Sequence, residues 1–129
     1  MDLTVSQMLD YQRRLQAQHP EWGGFPPERA KQQMLWGIAE LGEASQLIKK
    51  LGEARVKDDP KIRADFIEEM GDAMMYLWDA LLCFGVDAEE FSRVYSAKFE
   101  RNSHRDWVKE HAEQYGEGPK TEASGEESI

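Results

Sequence analysis

The chain has 129 residues, enough for one buried core, with 40% hydrophobic and 32% charged, the balance of a soluble globular domain. Its net charge of −9 argues against a nucleic-acid polymer as partner, since that calls for a basic face, but allows an anionic small molecule bridged by divalent cations. No stretch approaches the roughly 20 apolar residues of a membrane span, so no membrane partner is expected. The opening MDLTVSQMLDYQRR lacks the apolar run of a secretory signal, and the single cysteine, Cys83, excludes an internal disulfide framework, so a cytoplasmic protein is expected.

The first helix is expected over 4–18, where Thr4 and Gln7 have capping-box spacing and Val5, Met8, Tyr11 and Leu15 recur at intervals of three and four. The prolines and glycines of 19–27 then force a loop. A second helix runs from about Pro27 to Leu51 with Met34, Leu35, Ile38, Leu41 and Ile48 along its apolar stripe, and Gly52 follows as its cap. A charged connection leads through Lys57 and Asp58 to a third helix, which Asp59 caps and Pro60 opens. That helix is the most apolar segment, hence the central one, and Gly85 ends it. Asp87 and Glu90 open a fourth helix, whose expected buried side is Phe91, Val94, Tyr95 and Phe99.

No strand pattern competes, and the fold class expected is all-α: an antiparallel, four-helix bundle-like core. A single helical domain is placed at 1–115, and the small, acidic stretch 116–129 is expected to be a disordered tail. Apolar stripes this wide suggest that self-association, as a dimer or tetramer, completes the core.

Two pairs of acids stand out. Glu40-Leu41-Gly42-Glu43 lies on the second helix and Glu69-Met70-Gly71-Asp72 on the third. Within each pair the spacing of three puts both carboxylates on one helix face, and two such helices side by side would gather four acids in one volume. Like charges so close repel unless a divalent cation neutralises them, and all-oxygen ligation selects Mg2+ first and Mn2+ second. None of the three histidines joins the motifs, which sets the pattern apart from the Glu-x-x-His pairs of di-iron bundles. Each motif also has a glycine at the same interior offset, at a cost of about 1 kcal/mol relative to alanine. That suggests close backbone approach by another helix or a ligand. The plain alternative is a solvated acidic face.

The ordered pair Glu-x-x-Glu and Glu-x-x-Asp resembles the signature of the all-α nucleoside triphosphate pyrophosphohydrolase superfamily, the MazG-like group related to dCTP pyrophosphatases and dimeric dUTPases. Glu68 to Leu77 is similar to that family's third helix, and Lys98-Phe99-Glu100-Arg101-Asn102-Ser103-His104-Arg105 resembles its Lys-x-x-x-Asn-x-x-Arg stretch. The resemblance implies hydrolysis of the bond between the α- and β-phosphates of a nucleoside triphosphate, giving the monophosphate and pyrophosphate. It implies Glu40, Glu43, Glu69 and Asp72 as metal ligands, Glu40 or Glu43 as acceptor of the water's proton, and Lys98, Asn102 and Arg105 as contacts to phosphate and sugar. Trp22, Trp36 and Tyr76 are the aromatics that could stack on a base or simply belong to the core. Two departures are visible: Ala39 stands where many relatives have a further glutamate, and Lys49 and Lys50 stand where the dCTP-cleaving members have a tryptophan. The alternative is a non-catalytic helical module that binds nucleotides or a protein partner.

Overall fold

The computed structural model describes residues 1–105 and 107–116, and they are mostly helical, with no strand among them. α1 spans Val5–Gln18, and two 3-10 turns follow, Pro20–Trp22 and Pro27–Arg29. α2 is Ala30–Leu51, α3 Glu53–Asp58, α4 Pro60–Leu82, α5 Ala88–His104 and α6 Trp107–Tyr115. The chain divides into two compact units, Met1–Ala88 and a second that begins at Glu89. The tail expected from 116 lies, past Gly116, outside the described residues.

The helix starts follow the local chemistry. The Thr4 hydroxyl accepts from the Gln7 backbone N–H at 3.1 Å while the Gln7 side chain accepts from the Thr4 N–H at 2.8 Å, completing the capping box. Asp59 accepts from the backbone N–H groups of Lys61 and Ile62, and Pro60 occupies the first helical position, where no donor is needed. Two boundaries differ from expectation. Pro27–Arg29 forms a 3-10 turn before α2 begins at Ala30, and the charged connection after Gly52 winds into the short helix α3.

In the first unit α4 is central, packed against α1, α2 and α3. α2 and α4 run antiparallel, as their partners show: Ala30 clusters with Ala80 and Cys83, while Gly37 meets Ala73 and Tyr76. The seam is built from small residues. Ala30, Gly37 and Ala44 recur every seven positions on α2, with Ala73 and Ala80 opposite, and all five are buried. A Cβ at Gly37 would stand 3.4 Å from both the Ala73 carbonyl oxygen and the Tyr76 Cβ. Close backbone approach therefore falls at Gly37 and not at the motif glycines: for Gly42 and Gly71 nothing beyond their own helix lies within 4 Å of where a Cβ would be.

Leu9 and Gln33 are the largest fully buried side chains. The large apolar residues expected along the stripe of α2 are mostly outside the core: Met34, Leu35, Ile38 and Leu41 are 42–61% exposed in the single chain. Val94, Tyr95 and Phe99, expected as the buried side of α5, are likewise 55–67% exposed. An apolar stripe marks a face that gains from being covered, without saying which molecule covers it.

A candidate metal centre and its cleft

The antiparallel pairing of α2 with α4 sets the middle turn of each against the other, and the two acidic motifs occupy those turns. Glu40, Glu43 and Glu69 each offer a carboxylate oxygen to a cluster whose atoms all lie within 4.8 Å of one another. One Glu69 oxygen, Oε2, is hidden from solvent and has no hydrogen-bond partner among the described residues. The Glu69 carboxyl is pushed above its ordinary pKa of 4.5. A hydrogen bond shared with Glu40 contributes most, then desolvation, then the negative charges of Glu40, Asp72 and Asp65. An orphaned oxygen among hard oxygen donors fits a divalent cation such as Mg2+. Asp72 stands beside the three rather than among them, and it shares with Glu40 the wall of the adjoining cleft.

That cleft has a volume of about 450 Å³ and follows the α2–α4 groove away from the acids. Glu40 and Asp72 mark one end, and Trp36, Met75 and Tyr76 come one helical turn further on. The Trp36 and Tyr76 rings are 5.7 Å apart and inclined at 58°. Desolvation, with the charges of Glu40, Asp72 and Asp79, holds the Tyr76 hydroxyl above its ordinary pKa. Trp22 also lines the cleft, its ring stacked 4.1 Å from that of His19.

One further turn along, about 10 Å from the acids at 1.5 Å per residue, the cleft is lined by Arg29, Gln33, Gln12 and Asp79. Gln12 Nε2 donates to Asp79 Oδ1 at 2.8 Å, tying α1 to α4. Arg29 can only donate, so the Gln33 amide is assigned with its oxygen towards Arg29 Nη2 and Nε (3.1 Å each) and its nitrogen donating to Asp79 Oδ2 at 3.0 Å. Arg29 is anchored in turn, its Nη1 donating to the Gly24 carbonyl at 2.6 Å and to Gln16 Oε1 at 3.2 Å. Burial raises the Asp79 carboxyl above its ordinary value, while the Gln12 hydrogen bond and the Arg29 charge oppose the rise.

The structure thus brings together Glu40, Glu43 and Glu69, and places Trp36, Tyr76 and Asp72 along one cleft with Glu40. Lys98, Asn102 and Arg105 belong to the second unit. Lys98 and Asn102 are a turn apart on α5, and Arg105 Nε donates to Glu110 Oε2 at 2.6 Å. The sequence reading missed the four polar residues at the far end of the cleft. Gln33 and Asp79 each sit seven residues from a motif acid, on the same face of the same helix, which is the one signal that could have flagged them. No helix among the described residues is long and apolar enough to cross a membrane. No family model, curated protein or solved structure matches this chain.

Proposed function

We propose that the protein is an Mg2+-dependent nucleoside triphosphate pyrophosphohydrolase, cleaving the α–β phosphate bond to release a nucleoside monophosphate and pyrophosphate. The observation that carries this reading is the trio Glu40, Glu43 and Glu69, which bring a carboxylate oxygen each within 4.8 Å of one another, together with the buried, unpartnered Glu69 Oε2. These residues, with Asp72 beside them, would hold Mg2+, with Mn2+ as a substitute. The bound ion supplies charge neutralisation at the phosphate oxygens and a more acidic water. Glu40 or Glu43, whichever is less engaged, accepts the proton of the attacking water as the new phosphorus–oxygen bond forms and the bridging bond to the leaving pyrophosphate breaks. The adjoining cleft, of a size typical for small-molecule sites, receives the nucleoside, with Trp36 and Tyr76 in its wall. By the resemblance alone, Lys98, Asn102 and Arg105 are the candidate contacts to phosphate and sugar; Arg105 is paired with Glu110 here.

In this reading the exposed apolar faces of α2, α4 and α5 are covered by further copies of the chain, as a dimer or tetramer, completing a four-helix bundle-like core in a cytoplasmic enzyme. The test is a panel of ribo- and deoxynucleoside triphosphates with Mg2+, assayed for pyrophosphate. Release by the native protein, absent in Glu69→Ala, is the expected result. No release above that variant would leave a non-catalytic helical module instead.

A further inference from the structure

The α2–α4 layer has two unlike sides. Positions on each helix advance by about 100° per residue around the axis, and Gly37 and Ala73 mark the buried seam where the two helices meet. Glu40, Glu43, Glu69 and Asp72 lie about 40–120° from that seam in one sense, and Met34, Ile38, Leu41, Ile67, Met74 and Leu77 about 40–120° from it in the other. Antiparallel helices turn the same sense towards the same side of their layer. The acids and the cleft therefore share one side, with α1 tied there through Asp79, and the six apolar residues share the opposite one. Those six are 42–61% exposed. Between Met34 and Ile48 on α2, and between Ile67 and Leu82 on α4, every charged residue falls outside the apolar sector.

We infer that two copies of the chain pair back to back through this apolar side, forming a four-helix bundle that carries both acid clusters and both clefts on its outer faces. The inference rests on the self-association proposed above and fixes the face that serves it. Area favours a second copy. Six large apolar side chains about half exposed, with the half-buried Met70 and Leu81 between them, offer on the order of 700 Å², above the roughly 300–600 Å² of the largest patch on a monomer and near the about 800 Å² per partner of a stable interface. Symmetry favours it too. A two-fold pairing sets a patch against itself, and a sector without charged residues brings no like charges together and desolvates none. The spacing agrees: positions 34, 38, 41, 45 and 48 on α2, and 67, 70, 74, 77 and 81 on α4, alternate by three and four, as the knobs of a bundle do, with Ser45 the one polar member. Both runs extend about 21 Å at 1.5 Å per residue, so each copy presents two seams of equal length to the two of its partner. Each acid trio is drawn from one chain, so the pairing neither builds nor blocks it.

Oxidation of the native full chain by hydrogen peroxide tests this without a variant, because a methionine is converted to its sulfoxide only where the oxidant reaches it. Met34 and Met74, on the apolar side, are 49% and 51% exposed in the single chain, and Met75, in the cleft, is 45% exposed. Oxidation of Met34 and Met74 several-fold slower than that of Met75, read by mass spectrometry of peptides, is the expected result. Sedimentation supplies the second measurement. Ile38→Glu is expected to halve the mass of the native assembly, while Gln32→Glu, exposed on another side of α2, leaves it whole. A native protein of single-chain mass, oxidation of the three methionines at equal rates, or an assembly that a folded Ile38→Glu leaves intact would each overturn the inference. Should Ile38→Glu fail to fold, the native mass and the methionine comparison decide. The two proposals separate cleanly: a monomer that releases pyrophosphate keeps the enzyme and removes the paired face, and a dimer through this face that releases none does the reverse.

Discussion

At one end of the α2–α4 cleft Asp79 is surrounded by donors, the amides of Gln12 and Gln33 with Arg29 behind them. At the other end Glu69 faces Glu40, Glu43 and Asp72, and one of its oxygens is buried without any donor. Both carboxylates belong to α4, ten residues apart, and both are held above their ordinary pKa. For Asp79 the cause is burial, which the chain itself opposes with hydrogen bonds and a cation. For Glu69 the first cause is another acid, and nothing among the described residues opposes it. The difference teaches that buried charge on one helix can be either a finished structural element or an open valence, and that only the donors distinguish them.

Substitutions at the two ends should therefore behave differently, and the largest effect belongs at the acidic end. Glu40→Gln keeps the volume and removes one charge from the trio, so pyrophosphate release should fall by more than about a hundredfold, since disturbing even an outer-shell partner of a metal costs 10–100-fold. A loss of only a few fold would mean that Glu40 is not a ligand. At the other end Gln33→Leu takes an acceptor from Arg29 Nε and Nη2 and a donor from Asp79, so denaturant unfolding should show a loss of about 2–3 kcal/mol. An unchanged midpoint would remove the polar row from the account of the fold. Gly42, exposed and with nothing beyond its own helix within 4 Å, should accept alanine with a gain of about 1 kcal/mol. A loss there would show that another molecule approaches the α2 backbone beside the acids.

The smallest of these effects is the pH dependence of the metal-free protein. Because the folded Glu69 holds its proton more tightly than its ordinary value of 4.5 implies, this residue favours unfolding as pH rises past 4.5 towards its folded pKa. Glu69→Gln should remove that component and give the metal-free protein a higher melting temperature at pH 7, the opposite of the effect at Gln33. A lower one would show that the charge of Glu69 is already balanced within the chain.

Local chemistry made much of the fold legible from sequence. Thr4 with Gln7 and Asp59 with Pro60 begin helices because they satisfy donors within one turn, and such bonds need no knowledge of the rest of the chain. Glu40, Glu43, Glu69 and Asp72 were legible as pairs because the spacing of three is local too. What escaped was tertiary. The seam of Ala30, Gly37 and Ala44 was hidden because attention to large apolar residues passes over the small ones that let two helices touch, and the glycines that seemed to mark that contact, Gly42 and Gly71, do not make it. Gln12, Arg29, Gln33 and Asp79 come from four elements, and each alone reads as an ordinary polar residue. The exposure of Ile38, Leu41 and Tyr95 escaped for a related reason: periodicity identifies an apolar face but not its partner.

The central claim is that the charge of Glu40, Glu43 and Glu69 is balanced by a cation, and its most direct measurement is the melting temperature of the protein with and without millimolar Mg2+ at pH 7. Binding to the folded state alone should raise it, by the equivalent of about 2.7 kcal/mol when the ion is at one hundred times its dissociation constant, and Glu69→Gln should abolish most of the rise. A melting temperature indifferent to Mg2+ and Mn2+, or a rise that survives in Glu69→Gln, would contradict it.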